Sequence, residues 1–521
     1  MEGIRRASLL CRLARASLVV VVWLGCPSIA LAGQDDAGPG FNASLVHELY
    51  PHTRFSGSNR YATAAQVAMT WGSSYYAVIA SGENWPDGLV AAPLAKKYNC
   101  PILLNPASGV LASETRNALN TLGTRYVFVM GSSAAIASPT LETQLFAYTA
   151  VTTTVRVYGS DRYATAKAAA DRVGYGSGKG LVVTGEDWPD AVAGASSAAY
   201  RQYPILLTRS TSIPSATGSA LNSFPSGSDI IIVGSTTVVS PSVETAINSS
   251  SYPRVTVEGR AAGSDRYATA REVVKYFGQM NPGDQAHVCL VNGLTGWPDA
   301  LSIGAWAGKT DEPVLYTTQN LLPKTTRDYL VDRQGQGHTT VVSGETLEVA
   351  TNYNTYKYVL VGSTPAISRG QEFALDALQW RGVKYIWGGE GPALDADGPD
   401  EGFDCAGLTW YAINYRSNDW RIHYYWNPRY PQLAPYYQHT AAMQRNYVDS
   451  DGYSDTSAVS SASITGHQVF YGSPITHTGF YLGNSERIDA PQTGDRVRVR
   501  SLGSPSIATK YWSESWPWVE W

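Results

Sequence analysis

From residue 50 to residue 368 the chain repeats one pattern three times, and this limits the available folds more than any other feature. GSNRYATA at Gly57 returns as GSDRYATA at Gly159 and again at Gly263. NWPDGLVAAPLA at Asn84 returns as DWPDAVAGASSA at Asp187 and GWPDALSIGAWA at Gly296. PILLN at Pro101 is matched by PILLT at Pro204 and PVLYT at Pro313, and apolar runs at Tyr126, Asp229 and Tyr358 close the pattern. Units of about one hundred residues are too long for solenoid turns, so each is expected to be a small domain. The expected boundaries are 50–150, 151–255 and 256–368.

Inside a unit, short apolar runs such as YAVIASG and YVFVMG alternate with helical stretches such as YATAAQVAMTW. Strand–helix alternation predicts an α/β module with a mainly parallel sheet covered on both faces. Asn59, Asp161 and Asp265 are placed to cap the helix that starts at RYATA. In each WPD the proline suits the first helical position, and Asp87, Asp190 and Asp299 fall in the first turn, where negative charge opposes the dipole.

After residue 368 the pattern changes. GFDCAGL, from Gly402 to Leu408, puts Cys405 at the start of a helical stretch, AGLTWYAINY. Unpaired N–H groups and the positive dipole end at a helix mouth favour thiolate, so Cys405 is the candidate nucleophile, expected to alkylate faster than Cys100 and Cys289. Thr476–Leu482 and Arg487–Ala490 read as two strands of a hairpin joined at Gly483-Asn484, which would bring His477 and Asp489 side by side toward the cysteine.

These two regions resemble two known families. The KYIWGG, FDCAG, ITHTGFYLGN and RIDAP blocks, in that order, resemble the NlpC-type papain-like cysteine peptidases that cut bacterial cell-wall peptides, over residues 369–521. The resemblance implies an α+β papain-like domain with Cys405 as nucleophile, His477 as general base and acid, and Asp489 as its orienter, where most relatives carry histidine. It implies substrate contacts at Tyr385, Asp404 and Ala406, although Asp404 also suits the turn itself and Tyr385 also suits packing of helix on sheet. Ala406 stands where relatives have serine, and GHQVFYG at Gly466 stands for a GDLVFF-like strand. The repeats resemble the type-two cell-wall-binding repeat, which implies a pseudo-threefold arrangement of three modules and retention on an anionic secondary wall polymer. Arg60, Arg162 and Arg266, with Ile102, Ile205 and Val314, are then candidate polymer contacts; the competing reading pairs each arginine with its own unit's WPD aspartate.

Charge and processing signals agree with an exported protein. Net charge is −4, and without residues 1–32 the chain keeps 35 basic and 42 acidic residues, a balance that argues against nucleic acid as partner. Residues 1–32 read as a secretory signal, with Arg5, Arg6, Arg12 and Arg15, an apolar run too short to span a membrane, and Ala30-Leu31-Ala32 at the cut; Leu24-Gly25-Cys26 is a poor lipoprotein box. Three cysteines then remain, Cys100 and Cys289 in strand-like apolar settings that suit buried thiols, with a disulfide between them left open. Two insertions stand out: an acidic loop with Asp395, Asp397, Asp400 and Glu401, read as solvated or calcium-binding, and an aromatic stretch over residues 420–437, read as a glycan-stacking wall or a self-packed loop. The expected protein is a secreted, wall-anchored cysteine endopeptidase on peptidoglycan stem peptides, with no metal or organic cofactor and no membrane contact after signal cleavage. The bond implied joins D-isoglutamate to the diamino residue. The rival readings are a surface-layer or adhesion protein with a degenerate papain-like domain, and an amidase or acyl hydrolase on another wall substrate. No long linker separates the third unit from the last domain, so the two are expected to lie close together.

Overall fold

The computed structural model describes residues 52–278, 287–336, 357–362, 368–380, 385, 387, 390–391, 402–414, 441, 444, 465–505 and 507–509. The signal segment, the acidic insertion, the aromatic stretch and the histidines His423 and His439 lie outside the described residues.

Each repeat is a four-stranded, all-parallel sheet with helices against it, as the alternation predicts. In the first unit the order is Ile102–Asn105, Tyr76–Ser81, Tyr126–Met130, Thr153–Val157. Every residue of the central strand from Ala77 to Ser81 is buried, which is why these strands read as continuous apolar runs. The second sheet repeats the order with Ile205–Thr208, Lys179–Thr184, Ser228–Val233 and Val255–Ala261. The third uses Val314–Thr317, His287–Asn292 and Lys357–Val361, and its fourth strand is His52–Phe55 from the opposite end of the repeat region. The strand that precedes each RYATA helix thus completes the sheet of a neighbouring unit.

The local chemistry is as expected. Asn59 Oδ1 accepts from the N–H of Tyr61 and Ala62 at 2.9 Å each, and Asp161 and Asp265 accept from Ala164 and Ala268 at 2.8 Å. The glycine before each cap is required by close packing: a Cβ on Gly57 would lie 2.3 Å from Ala62 Cβ, and one on Gly159 2.3 Å from Ala164 Cβ.

Ala92–Lys97 and Ala195–Arg201, the second helical segments after their WPDs, and the single helix Trp297–Thr310 that starts at the third WPD pack against one another. Small side chains make that approach possible. The equivalent positions Ala92, Ala195 and Gly304 converge, with the Cβ site of Gly304 3.8 Å from each alanine Cβ. Arg201 to Asp311, at 2.9 Å, ties the second unit to the third.

The arginine of each RYATA helix sits on a different unit's WPD, which corrects the competing reading that it pairs within its own unit. Arg60 lies over the Trp297 ring at 5.5 Å, Arg162 over Trp85 at 5.5 Å and Arg266 over Trp188 at 6.0 Å. The first unit therefore reaches the third, the second the first, and the third the second. The cause is the strand exchange described above, which carries each RYATA helix across to its neighbour. Within its own unit each arginine instead donates to a backbone carbonyl, of Gly82, Gly185 and Gly293 respectively.

The last domain is α+β. Its sheet is antiparallel, in the order Arg498–Ser501, Glu486–Asp489, His477–Gly483, Gln468–Tyr471, Ile507–Thr509. Helices Arg369–Gln379 and Cys405–Asn414 pack on each other and on the central strand His477–Gly483. The hairpin is present, but its turn residues are Asn484 and Ser485, with φ of 53° and 57°, one position later than expected. Two consecutive left-handed residues make the type I′ geometry that matches strand twist.

Candidate active site

Asp404 caps the helix that carries Cys405, the candidate nucleophile. Its Oδ1 accepts from the Gly407 N–H at 2.6 Å, so Cys405 enters the first turn with its backbone fixed. Cys405 is 8% exposed and packs with Ala441, Phe470 and Ile475. The backbone N–H groups of Thr478 and Ala406 favour its anion. Phe470 is the register partner of Thr478, the residue after His477, so the Cys405 helix meets the histidine strand here.

The expected thiolate bias is outweighed. Burial, and then the Asp404 carboxylate, push the Cys405 thiol up to about 11, against the pull of the two N–H donors. A helix mouth stabilises an anion only as far as desolvation allows, and here the sulfur is mostly removed from water.

His477 and Asp489 do come together: Nε2 lies 2.8 Å from Asp489 Oδ2. A carboxylate kept ionised only accepts, so Nε2 carries the proton and Nδ1 is the basic nitrogen of the neutral ring. Asp489 has no exposed surface. Although burial opposes its charge, hydrogen bonds from His477, Arg500 and Arg487 hold its carboxyl below the usual range. The Tyr471 ring packs beside His477, with centroids 5.7 Å apart.

Tyr385 pairs with Phe403 through an isolated parallel bridge, and its N–H donates to Asp495 O at 2.8 Å. Burial and the neighbouring Cys405 and Asp404 raise its phenol to about 12, which places it beside the nucleophile as a neutral hydroxyl. Ala406 is buried, and its carbonyl accepts from Gln444 Nε2 at 2.8 Å and Thr409 Oγ1 at 3.0 Å. His467 is buried at the start of the adjoining strand, its carbonyl accepting from the Tyr481 N–H at 2.8 Å.

Several residues of this site carry no signal in the sequence reading. Gln468 Nε2 reaches Gln444 Oε1 at 2.5 Å, Thr478 Oγ1 at 3.0 Å and Thr409 Oγ1 at 3.2 Å, an amide–hydroxyl network that locks the helix to the two strands behind the sulfur. Arg487 and Arg500 both donate to Asp489. Cys100 and Cys289 are free and buried, and burial raises both thiols, so they form no disulfide and neither is a second reactive thiol.

Comparison with known proteins places both regions. The Cell wall binding domain 2 (CWB2) model matches residues 54–142, 156–244 and 260–372, and the NlpC/P60 family model matches residues 382–516. The N-acetylmuramoyl-L-alanine amidase LytC of Bacillus subtilis (strain 168) is 30% identical over 316 residues, 60% of this chain and 56% of that protein. The probable endopeptidase YafL of Escherichia coli (strain K12) is 27% identical over 135 residues, 26% of this chain and 45% of that one. The chain thus spans about half the length of these relatives. Among solved structures, Cwp6 from Clostridium difficile shares the fold with a TM-score of 0.51 at 22% identity, covering 63% of this chain and 47% of that one. With three matched copies filling more than half its length, the chain belongs to the Cell wall binding domain 2 family and carries an NlpC/P60 domain after the repeats.

Proposed function

We propose that the protein is a cell-wall-bound cysteine peptidase that hydrolyses peptidoglycan stem peptides, at the bond between D-isoglutamate and the diamino residue. One arrangement supports the reading: a cysteine at a capped helix mouth, packed on Phe470, which pairs with the residue after His477, and a His477 whose Nε2 is held by a buried carboxylate.

The chemistry follows from that arrangement. His477 Nδ1 takes the Cys405 proton as the sulfur attacks the peptide carbonyl. The Cys405 N–H, free at the helix mouth, is the natural donor to the oxyanion. Imidazolium, stabilised by Asp489, returns the proton to the leaving amine, and water then releases the acyl group from sulfur. The Tyr385 hydroxyl donates to substrate or oxyanion. A buried thiol at about 11 needs this base, so activity rests on His477 rather than on a resting thiolate.

The repeats supply the wall attachment, and relatives named as amidase and endopeptidase support a wall substrate. Arg60 is exposed, and Arg162 and Arg266 are half-buried, so each keeps an edge for anionic polymer groups while it bridges two units. Export through cleavage of residues 1–32 belongs to the same reading.

Muropeptides incubated with the purified protein and with Cys405→Ala, analysed by mass spectrometry, test the reaction. Cleavage at the isoglutamyl bond that the substitution abolishes is expected; cleavage unaffected by it rules the mechanism out. Sedimentation with isolated walls, before and after extraction of the secondary polymer, tests the anchor, and retention on stripped walls would exclude that partner.

A further inference from the structure

Behind His477 lies a cluster of charges larger than the histidine needs for a simple partner. Arg487 Nε donates to Asp489 Oδ2 at 2.5 Å. Arg500 donates from Nε to Oδ1 at 2.8 Å and Oδ2 at 3.0 Å, and from its NH2 group to Oδ2 at 2.8 Å. His477 Nε2 completes the set. One carboxylate therefore faces two guanidinium groups and an imidazole.

The two arginines are held differently. Arg487 is nearly buried; its NH1 donates to the carbonyls of Ser501, at 2.6 Å, and Leu502, at 2.5 Å, and its guanidinium lies 4.4 Å from the Tyr471 ring centroid. Arg500 stands on the edge strand with its side chain 32% exposed, and its NH2 also lies 3.4 Å from His477 Nε2. Across the strands, Arg487 is the direct register partner of Arg500.

We propose that Arg487 and Arg500 are positioning residues for the peptidase, fixing the Asp489 carboxylate so that Oδ2 alone is presented to His477. In addition, Arg500 sets the pH range of the thiol–imidazole couple through its charge.

A lone carboxylate on a strand end can rotate about its last torsion, and a buried one without partners is costly. The Arg500 fork engages both oxygens and stops that rotation. Its charge acts separately. The groups around the imidazole are Asp489 and, through it, Arg487 from the neighbouring strand, Arg500 from the edge strand and the Tyr471 ring from the other side; Asp404 and Asp489 also act on the Cys405 thiol. Asp489 favours the imidazolium, and the guanidiniums oppose it. A nearby cation lowers the proton affinity of groups around it, and the Arg500 NH2 group lies 3.4 Å from His477 Nε2, so removing Arg500 is expected to move the reactivity profile to higher pH.

This inference rests on the peptidase reading for its substrate but has a readout that does not. In the full chain, Arg500→Met and Arg500→Lys are compared with the unsubstituted protein. Cys405 alkylation by iodoacetamide, resolved by peptide mass spectrometry, and kcat/KM on muropeptides are measured from about pH 5 to about pH 10. Thermal melts check that the fold is retained. Arg500→Met is expected to shift both profiles up by roughly half a pH unit or more, and to lower the plateau about tenfold. Arg500→Lys keeps the charge and loses the fork, so its profile stays in place while kcat falls with KM unchanged. If Arg500→Met leaves the alkylation profile and the plateau as they were, the proposal fails; an identical, unshifted loss in both variants also overturns it. Should the intact chain cleave no muropeptide while the alkylation profile shifts as stated, the peptidase reading fails and the positioning role stands.

Discussion

Cys405 shows how a single residue can be placed by one force and opposed by another. The helix mouth and two N–H donors favour its anion, whereas burial and Asp404 hold the thiol at about 11. A group raised this far is almost wholly protonated near neutrality, and its thiolate fraction grows tenfold per pH unit until the pH reaches that value. With His477→Ala, alkylation of Cys405 should therefore climb steadily with pH and show no plateau below pH 9. In the intact protein the thiol is also mostly protonated near neutral pH, but the imidazole can take its proton during attack, so alkylation should be faster than in the variant at neutral pH. Peptide-resolved alkylation rates measure both curves. A neutral plateau in His477→Ala would show that the helix mouth alone ionises the thiol. Cys100 and Cys289 should stay unreactive throughout, since burial raises them and water does not reach them.

Among the elements, the WPD helices carry a testable cost. Asp299 is buried, and desolvation raises it from 3.8 to about 6 against the pull of Arg60; Asp87 and Asp190 move in the same direction for the same leading cause. The folded state then binds more protons than the unfolded chain between 3.8 and about 6, so this contribution to stability is present below 3.8 and is lost as pH rises through the window. Asp299→Asn should raise the melting temperature at pH 7 and flatten its dependence between about pH 4 and pH 6. A lower melting temperature at pH 7 would mean that the charge on Arg60 outweighs desolvation. Asp161→Ala should cost about 1 kcal/mol in thermal or urea melts, through the orphaned N–H of Ala164.

Such helices, caps and strands were legible in the sequence because each depends on neighbours within a few positions. The hairpin and the His477–Asp489 pair were legible for the same reason, since one short turn joins them. Arg60 was not: its aromatic partner, Trp297, lies in another unit, and only the strand exchange brings them together. Arg487 and Arg500 were not legible because they lie on different strands, and only the strand pairing brings both guanidinium groups onto Asp489.

At the scale of the whole molecule, the NlpC/P60 domain is mounted directly on the third repeat. The loop after Val314–Thr317 is its seat. Gln371 Nε2 donates to the carbonyls of Thr318 and Gln319 at 2.5 Å and 3.0 Å, and the Thr465 N–H donates to Asn320 O at 2.7 Å. Leu322, at the end of this loop, is fully buried, and its N–H donates to Thr465 Oγ1 at 3.0 Å. Beside the loop, Arg327 is buried and pairs with Glu486 of the peptidase sheet and with Asp328 at 3.0 Å. The two ends of this bridge are unequal: the Arg327 side chain is 2% exposed and that of Glu486 28%. Glu486→Gln leaves a buried guanidinium with one fewer anion, a loss of up to about 3 kcal/mol. Arg327→Met removes the buried charge and fills the space with apolar atoms, while Glu486 turns to water, so its cost should be about 1 kcal/mol or less. Calorimetry reads the difference. The unsubstituted chain should melt with repeat and peptidase coupled, and Glu486→Gln should separate a lower transition for the peptidase, whose loss of activity on heating tracks that step. Equal, small effects from both substitutions would show that the loop hydrogen bonds, and not the ion pair, hold the catalytic domain at a fixed position on the wall anchor.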